Sequence, residues 1–258
     1  MGSVTMRFLG QAGFVLSTEN VSIAIDPFIS DFLPDRQFPC PVPIAQLAAV
    51  GLVLATHEHP DHLDLMGLRE WLDVSPDLRI VIPRPVVAIA RDGGVPEANI
   101  VAMQPGEEFS WNGVTIWPVP ALHGVGVSDA YNFGKEISGG LVRYLGYVVE
   151  IGGLRIYHSG DTLDHDGLAE TLRELRTEVA LLPVNGRDAA REARDIVGNL
   201  SAAEAADLAI RSGVRAAVPM HYDMFASNPG SPDEFASALQ GSGIEVLIPP
   251  HGTPVRLG

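Results

Sequence analysis

Short apolar runs broken by turn residues fill the first hundred positions and predict strands. "TMRFLG", "GFVLST" and "VSIAID" are the first three, each of strand length and bounded by turn-forming residues. The stretch from Asp26 to Pro43 holds Pro27, Pro34, Pro39, Pro41 and Pro43, so it reads as a loop. "GLVLATH" is apolar without alternation, the pattern of a strand covered on both faces. In "LDLMGLREWLD" the apolar positions shift to Leu65, Leu68, Trp71 and Leu72, a helical spacing. "RIVIP" and "NIVAM" are further strands around a short helix, "PVVAIARDG".

Two hairpins follow. Asn112-Gly113 joins "EEFSW" to "VTIWPV", and Gly152-Gly153 joins "YLGYVVEI" to "LRIYHSGD"; such dipeptides suit two-residue turns. Between the hairpins lies a Gly-rich stretch, Leu122 to Leu145, expected to be a long functional or mobile loop. The last third alternates: helix "GLAETLRELR", strand "VALLPV", helix "SAAEAADLAIRSG", strand "VRAAVPMH", helix "SPDEFASALQGSG", strand "IEVLIPP". Ser201 with Glu204, and Ser231 with Glu234, fit capping boxes, and Pro232 suits a first helical position. Gly213 is placed to close its helix. No linker or low-complexity run divides the chain. The pattern predicts one domain over residues 1–258, of the α/β (α+β) class, with stacked sheets and helices outside. No short-period repeat is visible, and two similar halves, each β-rich then α-rich, are compatible with it.

Composition narrows the function. The 258 residues are 46% hydrophobic and 19% charged, enough for a sizeable core. A net charge of −15 opposes binding to nucleic acid or to an anionic membrane. It leaves room for a small anionic substrate, because bound cations reverse the local field. No apolar run reaches membrane-spanning length. "MGSVTMRFLGQAGF" lacks a basic region followed by a long apolar run, so no signal peptide is expected. "GSVTM" fits a myristoylation pattern only by chance, since no second anchor accompanies it. The one cysteine, Cys40, forms no internal disulfide and reads as a small packed side chain in a reducing, cytoplasmic setting. A homo-oligomer is left open.

The chemistry concentrates in "THEHPDH". Here His57, His59, Asp61 and His62 crowd one stretch directly after a buried strand. Imidazole and carboxylate together are ligands for zinc and similar divalent metals. A polar loop with solvated histidines is the plainer reading of one such residue, but it accounts poorly for four. His57 and His59, two apart, point the same way in extended chain. Pro60 then turns the chain, so Asp61 and His62 are aimed at a second point nearby. Two adjacent ions need about seven or eight protein ligands. His123, Asp161 and His221 each stand just past an apolar strand, where separate loops converge on one sheet edge. His158 lies on its strand and is expected to orient a ligand. His165 reads as a solvated helix-entry residue, and His251 ranks below His221 as a ligand.

"THEHPDH", "ALHG", "SGDT" and "MHYD" resemble the ordered motifs of the metallo-β-lactamase superfamily. The likeness runs from "FLGQAGFVL" and "IAIDPFISD" to "VPMHYD". It implies a four-layer αββα sandwich with the site at one edge. It also implies two divalent ions: one on His57, His59 and His123, a second on Asp61, His62 and His221, with Asp161 between them. Zinc or manganese is implied, and iron suits the same donors. The last third, from "YHSGDT" to "GNLSAAEAADLAIRSGVRAAVPMHYDMFASNPGSPDEF", is similar to the L-ascorbate-6-phosphate lactonase-like branch, which hydrolyses a phosphorylated sugar lactone in the cytoplasm.

Two ions sharing a water would ionise it near neutral pH for attack on a carbonyl carbon. Asp61 is the expected catalytic proton carrier, and no "GxSxG" motif offers a serine nucleophile. Arg187, Lys135 and Tyr222 are the side chains expected to bind substrate, Arg187 first because its fork matches phosphate; Arg143 and Tyr131 rank behind them. A phosphodiesterase is the alternative with the same chemistry. A redox diiron protein would carry a carboxylate where His59 stands and a flavin partner domain. A non-catalytic metal-binding protein would be expected to have lost ligands.

Overall fold

The structure is a computed structural model describing residues 2–124, 131–134 and 140–258. Among these residues two seven-stranded sheets form. The first contains β1 (Val4–Gly10), β2 (Gly13–Ser17), β3 (Ser22–Ile25), β4 (Leu52–Leu54), β5 (Arg79–Pro83) and β6 (Ile100–Met103), with β14 (Pro254–Leu257) on the outer edge of β1. In the second are β7 (Phe109–Trp111), β8 (Val114–Pro120), β9 (Leu145–Ile151), β10 (Leu154–His158), β11 (Val179–Pro183), β12 (Ala216–Met220) and β13 (Glu245–Val246), paired in that order. The sheets are alike in plan. Each begins as an antiparallel meander, β1–β2–β3 or β7–β8–β9–β10, and continues as parallel strands linked by helical crossovers.

Three buried clusters show how the layers stack. Along β3 and β4, Ile23, Ile25, Leu52 and Leu54 face the other sheet, while Ala24 and Val53 face outward into a second cluster. That outer cluster is covered by Leu68 and Trp71 of α1 (Leu65–Val74) and Ala90 of α2 (Val87–Asp92). The second sheet repeats the scheme. Leu181 points inward, and Ala180 and Leu182 point out. There they meet Leu168 and Leu172 of α3 (Leu168–Glu174), Ala205 and Leu208 of α5 (Ala202–Ser212), and Phe235 of α6 (Pro232–Ala238). A strand buried on both faces needs apolar residues at every position, which is why these runs are unbroken in the sequence. The result is a helix–sheet–sheet–helix sandwich, as expected.

Both sequence-marked helix starts are present. Ser201 and Glu204 bond reciprocally at the head of α5, and Gly213 closes that helix in the left-handed region. At α6 the Ser231 side chain accepts from Glu234 N, with Pro232 at the first helical position. Three details differ from expectation. "IEVLIPP" pairs as a strand only over Glu245–Val246, because Pro249 and Pro250 supply no N–H to a ladder. "PVRL" forms the edge strand β14, too short to announce itself. A four-residue helix, α4 (Ala189–Glu192), is capped by the Asp188 side chain. Within the Gly-rich stretch from Leu122 to Leu145, residues 125–130 and 135–139, Lys135 among them, lie outside the described residues; what is described includes a bridge between His123 and Asn132.

Candidate metal centre

Strand ends bring the donors together at one edge of the sandwich. His57 follows β4, His123 follows β8, Asp161 follows β10 and His221 follows β12. After His57 the chain turns tightly: His59 O accepts from both His62 N and Leu63 N, at 2.9 and 2.8 Å. Asp64 then caps α1, accepting from Gly67 N, and also holds Ile29 N and Ser30 N. The loop is thus pinned at both ends.

All seven residues expected from sequence converge. His57, His59, His123 and Asp161 form one group and Asp61, His62 and His221 another, with the donor atoms of each group within 4.8 Å of one another. The facing atoms can be named. His57 Nε2 lies 2.9 Å and His123 Nε2 3.4 Å from His59 Nδ1, so the first group presents Nε2, Nδ1 and Nε2. Asp161 lies between the groups. Its Oδ1 is 3.3 Å from His62 Nε2; its Oδ2 is 3.3 Å from His221 Nε2 and 3.5 Å from His123 Nε2.

Outer hydrogen bonds fix which nitrogen is free. Asp26 accepts from Thr56 N at 2.8 Å, Thr56 Oγ1 at 2.7 Å and His62 Nδ1 at 2.7 Å. His62 therefore keeps its proton on Nδ1 towards Asp26 and turns Nε2 inward. Thr56 Oγ1, having donated to Asp26, accepts from His57 Nδ1 at 3.0 Å, which turns His57 Nε2 inward as well. Carboxylate or hydroxyl partners on the far nitrogen are the usual way to set a ligand's tautomer. Gly160 adopts φ +58, and a Cβ there would lie 2.7 Å from Thr56 Cβ. Only glycine lets the Asp161 loop approach the histidine loop this closely. His158 supports the same approach: it bonds Ala12 O at 2.8 Å and accepts from Gly160 N at 3.1 Å.

Charge in the cluster is divided. Burial holds His57 and His59 below the ordinary imidazole value and takes His123 to about 3, so all three are neutral, lone-pair donors at pH 7. His62 goes the other way: burial alone would lower it, but Asp161, Asp61 and Asp26 outweigh that and raise it. Burial opposes ionisation of Asp161 and Asp61, yet His221 and His62 keep both carboxyls below their usual range. Buried His62 Nε2 and Asp161 Oδ1 make no hydrogen bond among the described residues. Buried polar atoms ordinarily find partners. Seven imidazole and carboxylate donors, two of them with an inward atom that lacks a partner, are a set suited to divalent cations.

The other residues singled out in the sequence have different surroundings. Arg187 directs both terminal nitrogens at Glu204, 2.8 Å each, and one also at Asn199 O. The fork expected for a substrate phosphate is thus engaged inside the fold, at the head of α5. Arg143 pairs with Glu58, and Tyr131 donates to Glu192. Tyr222 adjoins His221 and packs its ring 5.9 Å from Phe8. His251 lies 3.0 Å from Asp223 and stacks near Phe38. His165 is not simply solvated: its Nε2 lies 3.0 Å from Pro120 O. The sequence reading passed over Asp26 and Thr56. The signal available was an acidic residue ending the buried run "IAID", since a carboxylate at such a strand end is costly unless it is held.

Comparison with known proteins agrees with this architecture. Residues 22–222 match the family model described as the beta-lactamase superfamily domain. A UPF0173 metal-dependent hydrolase of Methanosarcina mazei is 30% identical over 259 residues, covering 100% of both chains. Among solved structures, Igni18, a metallo hydrolase of Ignicoccus hospitalis, superposes with a TM-score of 0.75 at 21% identity over 99% of each chain. An isothiocyanate hydrolase from Delia radicum gut bacteria gives 0.75 at 21% identity, over 97% of this chain and 98% of its own. At those identities the structures speak for the fold. The family match and the full-length relative go further: the chain belongs to the β-lactamase superfamily, in company with relatives named metal-dependent hydrolases.

Proposed function

We propose that this protein is a metal-dependent hydrolase that opens a sugar-acid lactone, with water as nucleophile and two divalent ions, zinc or manganese, as cofactors; iron suits the same donors. The observation that carries the reading is Asp161, whose two oxygens face donors of both groups. His57 Nε2, His59 Nδ1 and His123 Nε2 would hold one ion, and Asp61, His62 Nε2 and His221 Nε2 the other. Bound there, the ions supply Lewis acidity and a water ionised near neutral pH. The chain does the rest. Asp26 and Thr56 keep His62 and His57 aimed inward. Asp61 is ionised and is steadied by Gln11, which donates to its Oδ2 at 2.7 Å; its carboxylate is the group that takes the water's proton. The water oxygen bonds to the carbonyl carbon, the ring C–O bond breaks, and the proton passes from Asp61 to the leaving alkoxide. The product is the open hydroxy acid.

Tyr222, beside His221, is the proposed substrate contact among the described residues. A small anionic substrate fits the reading. A nucleic acid or membrane surface does not, given the net charge of −15. Among the described residues no helix is long and apolar enough to cross a membrane. The single cysteine suits a reducing, cytoplasmic setting.

The test mixes zinc- or manganese-loaded protein with a panel of sugar lactones, each free and phosphorylated, and follows acid release. Turnover of at least one lactone is expected, with Asp61→Ala losing it while its thermal unfolding stays cooperative. Silence on every lactone, combined with cleavage of bis(p-nitrophenyl) phosphate, moves the assignment to a phosphodiesterase.

A further inference from the structure

Gln11 is a buried polar side chain within the donor cluster to which metal holding gives no task. It stands in the turn between β1 and β2, in "FLGQAGF", and its φ is +54. A non-glycine residue in that left-handed region is strained, although glycines stand close by at positions 10 and 13. Strain of this kind persists where the side chain is needed. The backbone there is also tied to the last donor loop, since His221 N donates to Gln11 O at 2.7 Å.

The side chain touches two donors at once. Its Nε2 lies 2.7 Å from Asp61 Oδ2 and 2.9 Å from His221 Nε2. The neighbours decide which end of the amide points inward. Asp61 is an ionised carboxylate and can only accept, so the nitrogen end must face it; the amide oxygen there would be repelled. The NH₂ group has two protons. One goes to Asp61, and the other faces His221 Nε2. His221 Nε2 is also the atom that faces the Asp61 and Asp161 carboxylates.

We propose that Gln11 is a positioning residue of the second metal position: its carboxamide N–H holds the Asp61 carboxylate, while its backbone carbonyl holds the His221 loop beside it. The inference rests on the two-ion reading above. It differs from a packing role, because it needs the N–H donors and not only the bulk.

Cobalt(II) titration of the metal-free protein, read by calorimetry and by ligand-field absorption, tests it. Two variants separate the roles. Gln11→Gly removes the side chain and relieves the backbone strain, so the fold is retained. Gln11→Met keeps the bulk without the donors. The wild type is expected to take two equivalents. Both variants are expected to bind the first as the wild type does and the second about tenfold or more weakly, with the second equivalent's absorption changed. If Gln11→Met binds the second cobalt within twofold of the wild type, the proposal is overturned and the two-ion reading stands. A wild type that takes only one cobalt overturns both.

Discussion

One loop supplies four of the seven donors, and three loops supply the remaining three. His57, His59, Asp61 and His62 follow β4 of the first sheet, whereas His123, Asp161 and His221 follow β8, β10 and β12 of the second. The near group is shaped locally. A turn closed on His59 O and the Asp64 cap fix it within a few residues. The far group is shaped by tertiary contact: the Gly160–Thr56 approach, the His158 bond to Ala12 O, and the His221 bond to Gln11 O. A local loop can hold its geometry wherever its strand ends. Dispersed donors meet only if both sheets are packed in register, so each needs its own support.

Asp161 is where the two kinds of donor meet, and removing it is expected to have the largest effect. Asp161→Ala deletes the contacts to His62, His123 and His221 together. Changes outside the ligand shell typically cost 10–100-fold in metal affinity, so loss of a shared ligand should cost at least about 100-fold for both ions. Metal content after dialysis measures this. If one ion remains held as tightly as in the wild type, the groups are independent and the carboxylate does not join them.

The same contrast explains what the sequence made legible. "THEHPDH" is readable because its donors are neighbours in the chain, and its spacing alone suggests two points of aim. His123, Asp161 and His221 are readable only as polar residues at the ends of apolar strands. The layer order was readable too, because Ala24 and Val53 are as apolar as Ile23 and Leu54, a sign of strands covered on both faces. Asp26 and Gln11 were not: their tasks depend on side chains 30 or more residues away, and no local pattern encodes that. Arg187 illustrates the converse. Its chemistry suits phosphate, but Glu204 on the neighbouring helix claims it.

A middle-sized effect sharpens the comparison through protons. His62 belongs to the near loop, yet burial there is outweighed by Asp161 of the far group, then Asp61 and Asp26, and its value is raised. In the metal-free protein it therefore carries a proton at neutral pH, while His57, His59 and His123 do not. Its charged form stabilises the metal-free fold below the ordinary imidazole value, and that contribution fades as pH rises through the raised one. A metal must displace the Nε2 proton. Saturation with zinc should release about one proton per chain, and affinity for the second ion should rise by up to about tenfold per pH unit while His62 stays charged. Calorimetry in buffers of different ionisation enthalpy counts the protons. No net release would show that His62 is neutral before the ion binds.

The smallest effect is expected where the far group leans on a surface helix. Ser201 N donates to Glu204 Oε2 and Ser201 Oγ accepts from Glu204 N, forming the box at the head of α5. The next residue back, Leu200, donates its N–H to Thr162 O at 2.9 Å, one position from Asp161. Arg187 hydrogen bonds push the Glu204 carboxyl down to about 2, so the acid's contribution is complete above the ordinary glutamate value and is lost as pH falls towards 2. Ser201→Ala removes the cap but keeps the Arg187–Glu204 pair and the Leu200–Thr162 bond, which uses only backbone. The expected cost is about 1 kcal/mol, a fall of roughly 2–4 °C in Tm for a chain of this size, with metal affinity within twofold of the wild type. Should affinity fall tenfold instead, the helix start itself sets the Asp161 loop, and the dispersed half of the site depends on its helical layer as well as on the packing of the two sheets.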